Sequence, residues 1–149
     1  MPQFWLEPFG TTNPPRRMDP DWITAEGVDI ERWEILSGPS ARNPPKMGRG
    51  DQLIFHAVGH ARMFGAGEIL ETPRYSTHPV WKERFPWVYP VRVETWIPIV
   101  TDGLRTSELV SKRVLGRLQA GAPYVDLTRE EFEALRDALK GLASARFHE

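Results

Sequence analysis

Trp33 to His56 reads WEILSGPSARNPPKMGRGDQLIFH, and the parsing of that stretch decides the fold. It opens on a large aromatic side chain, passes Ser37, Gly38, Pro39 and Ser40 in a turn-rich segment, reaches Arg42 and Asn43, and ends in a strand. An indole, small hydroxyls and a guanidinium together are suited to a flat, polar, phosphate-bearing ligand. Within Gln52 to Ala57, Leu53 and Phe55 fall on one face and Gln52, Ile54 and His56 on the other. Both faces carry an apolar residue, which predicts a central strand rather than an edge. Gly48-Arg49-Gly50-Asp51 reads as the tight turn that feeds it.

Working outward, Val58-Gly59-His60 makes a turn and Ala61 to Glu71 reads as the antiparallel return strand. Gly65 and Gly67 alternate along it, leaving one face bare so that another backbone or a ligand can come close. Upstream, Phe4-Trp5-Leu6 predicts an initial strand stopped by Pro8 and Gly10, Asp21 to Glu26 one helical turn, and Ile30 to Ile35 a short helix with Trp33 at its end or just beyond. Downstream, TPRYSTHPVWKERFPW is a proline-rich loop with Tyr75, Trp81, Phe85 and Trp87, and Val88 to Val100 alternates as a strand. Asp102 is placed to cap a helix from Leu104 to Leu118, with Val110, Val114 and Leu118 along one side. The last helix is the best signed: Thr128 and Glu131 form a capping box, Leu127 and Phe132 a hydrophobic staple, and Phe132, Leu135 and Leu139 the buried stripe. Gly141 is expected to stop it. Strands and short helices in this order predict one α+β domain over residues 1–149, built on a curved or barrel-like sheet.

Composition narrows the function. With 149 residues, 40% of them aliphatic or aromatic and 26% charged, the chain suits a globular domain that needs no metal or disulfide to fold. It has no cysteine, which removes disulfides, thiolate metal sites and cysteine nucleophiles. No apolar run approaches the ~18 residues of a membrane span and no signal-peptide pattern opens the chain, so a cytoplasmic protein with no membrane contact is expected; the oligomeric state is left open, with a monomer favoured. A net charge of −1 gives no global attraction to nucleic acid, so any such contact must be local.

Catalysis has little support. His56 and His60 are four apart, but a turn separates them, and no metal site is expected. There is no GxSxG elbow and no phosphate loop of the GxxxxGK[ST] kind. Asp51, Glu68 and His56 are the acid–base set that an alternative, a small metal-dependent nuclease or nucleotide hydrolase, would use. A third class is a protein-interaction module with exposed aromatic residues. Arg113 and Arg117 lie one helical turn apart, where they can track a phosphate backbone or simply form a solvated face. Trp33 and Trp81 fall outside the strong strand patterns; two indoles across a slot stack a base with roughly 1–3 kcal/mol per contact.

The segment W-E-I-L-S-G-P-S-A-R-N, holding Trp33, Ala41, Arg42 and Asn43, resembles the signature of EVE domains, PUA-like modules related to YTH domains. Met47, Gly50-Asp51 before the Leu53 to Phe55 strand, the strand GAGEIL, the LTREEFEAL helix and the opening Phe4-Trp5-Leu6 are also similar to that family. The resemblance implies a PUA-like curved β-barrel of about five to six strands flanked by short helices, and a non-catalytic module that binds DNA or RNA carrying a modified base. By that resemblance Trp33 is one wall of an aromatic cage. Arg42 and Asn43 hydrogen-bond the ligand or brace its loop, beside Ser37 and Ser40. Trp81 is the expected second wall, on position alone, and Lys46 and Arg49 join Arg113 and Arg117 as phosphate contacts. No cofactor is expected.

Overall fold

A computed structural model describes residues 2–9, 33–37, 46–57, 60–72, 74–75, 87–97, 99–122 and 124–147. Eight strands make one mixed sheet: β1 (Phe4–Phe9), β2 (Trp33–Ser37), β3 (Gln52–Ala57), β4 (Arg62–Ile69), β5 (Arg74–Tyr75), β6 (Trp87–Trp96), β7 (Leu104–Arg105) and β8 (Val125–Leu127). Its main path runs β2-β6-β4-β3-β1-β8, with β5 on β6 and β7 on β4. Three helices follow the long strands: α1 (Thr106–Leu109), α2 (Lys112–Gln119) and α3 (Arg129–Phe147). The architecture is α+β, as expected. The sheet is open, because no pairing among the described residues joins β2 to β8.

The hairpin anticipated from Gln52 onward is the centre of that sheet. β3 and β4 pair antiparallel with Gln52 opposite Glu68 and Phe55 opposite Gly65, and a bulge follows Phe55. On the other side of β3 lies β1, parallel, with Trp5 opposite Leu53 and Glu7 opposite Phe55. Pro8 does not end β1, which runs on to Phe9. Parallel neighbours need a long crossover, and the chain between β1 and β3 supplies it by way of β2 at the far edge.

The bare strip on β4 is filled from two sides. A Cβ on Gly65 would lie 2.8 Å from the Thr95 carbonyl oxygen and 2.9 Å from Phe55 Cδ2; one on Gly67 would lie 2.7 Å from the Arg92 oxygen and 3.1 Å from Phe55 Cζ. The glycines therefore admit the backbone of β6 and the Phe55 ring, not an open groove. Phe64 and Trp96 close around the same ring, with centroids 5.1–6.0 Å apart.

α3 covers the opposite face, against β1, β3, β4 and β6. Its capping box forms as expected: the Thr128 N–H donates to Glu131 Oε1 at 2.9 Å and the Glu131 N–H to Thr128 Oγ1 at 3.1 Å. Phe132, Leu135 and Leu139 are buried, and the Phe132 ring lies 5.0 Å from Phe4. Burying each such side chain stabilises the fold by roughly 1.5–3 kcal/mol. Gly141 does not stop the helix, which continues to Phe147. Leu142 still packs on the core one residue later, which offsets the ~1 kcal/mol that a helical glycine costs.

Two other expectations are corrected. The proposed helix over Ile30 to Ile35 gives way, from Trp33, to strand β2, because the ladder with β6 takes up the backbone groups of Trp33–Ser37. The single helix from Leu104 to Leu118 is divided: Leu104 and Arg105 pair with Met63 and Arg62, and the chain breaks again at Ser111. Ser111 is extended and its hydroxyl accepts the Val114 N–H at 3.3 Å, so it starts a helix of its own. No helix among the described residues is long and apolar enough to cross a membrane.

Candidate nucleic-acid interface

The turn before β3 is held by one carboxylate. Asp51 is 6% exposed, and its Oδ1 accepts the Gln3 N–H at 2.9 Å while Oδ2 accepts Trp5 Nε1 at 3.0 Å and the Gly48 N–H at 2.9 Å. Gly50 takes φ +89°, which favours glycine, and its N–H donates to the Ile69 oxygen at 2.8 Å. The Ile69 N–H returns the bond to the Asp51 oxygen. Met47 is buried, and Tyr124 sets its ring edge-on to Trp5 at 5.3 Å while its hydroxyl accepts the Lys46 N–H at 3.3 Å. Met47, Gly48, Gly50 and Asp51 are thus anchored by burial or hydrogen bonds. Lys46 and Arg49 are left exposed on a fixed backbone.

Trp33 and Ser37 stand on β2, an edge strand of the sheet formed by the described residues, opposite Val91 and Trp87 of β6. For these two only the backbone is described, and Ser40, Arg42, Asn43 and Trp81 lie outside the described residues. The register nevertheless ties Trp33 to the basic turn. Trp33 pairs with Val91, Val91 with Ile69, and Ile69 bonds to Gly50 and Asp51. At the ~4.8 Å spacing of neighbouring strands, the three steps put the backbone of Trp33 about 14 Å from the turn, in one cross-strand row that passes through the middle of β6.

The two helical arginines differ. Arg113 donates to Asp126 Oδ1 at 3.3 Å, to the Asp126 oxygen at 3.0 Å and to Glu131 Oε1 at 3.1 Å, tying α2 to β8 and to the start of α3. Partial burial pushes the Glu131 carboxyl up, but the Thr128 N–H, the Ser111 and Thr128 hydroxyls and the Arg113 charge outweigh it and hold Glu131 below its usual value. Arg117 remains exposed one turn further on.

Asp51, His56 and Glu68 are not gathered into one site. Asp51 and His56 sit at opposite ends of β3, roughly 17 Å apart by strand rise. The Asp51 oxygens are occupied as above, and Glu68 is ion-paired with its cross-strand partner Arg92. His56 is buried, with Nδ1 at 2.9 Å from Thr106 Oγ1, and burial lowers its pKa from 6.5 to about 4, so the ring is neutral at pH 7. Among the described residues no three His, Asp or Glu side chains are grouped to hold a metal ion. The sequence places Trp5 only in an opening strand and gives Tyr124 and Arg92 no part in a site. Trp5 shares the pleat of Leu53, a signal that emerges only once β1 is known to pair with β3.

No family model matches the sequence, and no curated protein matches it. Among solved structures, the fold is similar to Rpa0253 from Rhodopseudomonas palustris, with 12% identity, a TM-score of 0.51, and 96% of this chain and 94% of that one covered. It is also similar to Atu2648 from Agrobacterium tumefaciens, with 14% identity, a TM-score of 0.55, and 91% and 92% covered. At these identities the likeness concerns the fold alone: nearly the whole chain of each protein follows the same path.

Proposed function

We propose that the protein is a non-catalytic module that takes one modified base from DNA or RNA against Trp33, on a PUA-like scaffold. The observation that carries this reading is the cross-strand row, through Val91 and Ile69, that links the backbone of Trp33 to the Asp51-anchored turn. A base lying on the edge strand has exposed cationic side chains, Lys46 and Arg49, within reach of its flanking phosphates. The resemblance of Trp33, Arg42 and Asn43 to the EVE signature supports the same ligand class. Extracting a base costs a few kcal/mol, which stacking and edge hydrogen bonds offset. The residues that hydrolytic chemistry would recruit are committed elsewhere, as Asp51 holds the turn and His56 is neutral and sealed against Thr106.

The test is binding of the full chain to paired oligonucleotides with and without a modified base. Trp33→Ala is expected to abolish the preference for the modified strand and to leave the melting temperature within a few degrees. Undiminished preference in that variant, or turnover of the oligonucleotide by the wild type, overturns the reading.

A further inference from the structure

Between the basic turn and β6 the surface dips into a solvent-open hollow lined by Arg49, Gly50, Glu68, Ile69, Leu70 and Arg92. Arg49 comes from the turn, while Arg92 stands next to Val91, the residue paired with Trp33. Glu68 and Arg92 face each other across the ladder and form an ion pair whose side chains are 28% and 56% exposed. Arg49 is exposed and has no carboxylate partner among the described residues. Two guanidinium groups and one carboxylate leave a net charge of +1, which matches a singly charged phosphodiester. The rest of the lining, Gly50, Ile69 and Leu70, brings no second carboxylate to repel an anion.

We propose that this hollow is a backbone-phosphate contact in which Arg49 and Arg92 clamp one phosphodiester and Glu68 is the resident carboxylate that the phosphate displaces from Arg92. The inference rests on the nucleic-acid reading above and adds Arg92 and Glu68 to it. Glu68 acts as a competitor for the site. Removing its charge frees Arg92 without touching the base pocket, so Glu68→Gln binds nucleic acid more tightly. A structural ion pair gives the opposite result, because its loss brings no gain in binding.

The experiment titrates the full chain with inorganic phosphate and, separately, with an unmodified single-stranded oligonucleotide, following the Gly50 amide and the Arg92 Nε–H by NMR. In parallel, oligonucleotide affinity is measured against salt. Both ligands are expected to move both resonances. Arg49→Gln and Arg92→Gln each reduce the slope of log K against log salt by about 0.7–0.9, the share of one phosphate contact, and Glu68→Gln raises affinity severalfold at low salt. An unchanged slope in Arg92→Gln, or no gain in Glu68→Gln, overturns the clamp. Shifts with inorganic phosphate but no oligonucleotide binding overturn the backbone assignment in favour of a small phosphorylated ligand. Equal affinity for modified and unmodified strands, with the slopes responding as stated, removes the base-reading role and leaves the clamp standing. Modified-base preference with unresponsive slopes does the reverse.

Discussion

The indole Nε1 of Trp5 donates to Oδ2 of Asp51 at 3.0 Å, and both residues are only 6% exposed. That bond fastens β1 to the turn that opens β3, and the same carboxylate takes the Gln3 and Gly48 amides. Asp51→Ala strands these donors in or near the core and is expected to cost about 3 kcal/mol. Trp5→Phe keeps an aromatic ring, removes one donor and costs about 1 kcal/mol from the bond itself, plus any packing loss. Urea unfolding of the two single variants and the double variant should show a combined loss smaller than the sum, since both remove the same bond. Additive losses would show that the bond contributes nothing beyond packing.

Gly65→Ala places a methyl 2.8 Å from the Thr95 oxygen and 2.9 Å from Phe55, with Trp96 at 3.2 Å. The carbonyl belongs to the β4–β6 ladder and cannot withdraw without breaking it. A loss of roughly 1–3 kcal/mol is expected, read as a lower urea midpoint with an unchanged slope. Gly116→Ala, on exposed α2 with nothing near its Cβ position, is the control and should stabilise by up to about 1 kcal/mol.

His56 gives a pH signature. Its folded pKa, about 4, lies below the 6.5 of an accessible imidazole, so between those values the unfolded chain binds the extra proton. Stability contributed by the neutral ring is complete above about pH 6.5 and falls as pH drops through the window toward 4. The full loss is on the order of 3 kcal/mol by the linkage relation. His56→Gln should flatten the unfolding free energy between pH 6.5 and 4 relative to wild type; an equal slope in both proteins would assign the dependence to other groups.

Arg113 and Arg117 should separate stability from binding. Arg113→Ala removes ion pairs to Asp126 and Glu131 that are partly exposed, each contributing at most about 1 kcal/mol, so unfolding is expected to register the change and the salt slope of binding to stay put. Arg117→Ala is expected to leave unfolding unaltered, and a lower salt slope in that variant would place α2 against the phosphate backbone.

Local signals were legible where the chemistry is local. The Thr128 and Glu131 cap, the Phe132, Leu135 and Leu139 stripe and the Gly50 turn depend on neighbours within a few residues, and each stands where the sequence puts it. The β3–β4 hairpin is similarly short in range, fixed by alternation and a turn. The arginines of α2 were legible as residues but not as partners: only the packing of α2 beside β8 shows that Arg113 pairs with Asp126 and Glu131.

By itself, then, the sequence determined the identity of the central hairpin, the final helix and the basic turn, because periodicity and capping are short-range and need no knowledge of the rest of the chain. Tertiary structure alone decided that Trp33 begins an edge strand instead of ending a helix, since a ladder with β6 outweighs weak helical propensity over five residues. It also decided that β1 runs parallel to β3, that Phe55 and the β6 backbone fill the glycine strip, and that Arg92 shares a hollow with Arg49. Each of these joins segments far apart in the chain, and pairing energies between distant strands leave no periodic trace in either one.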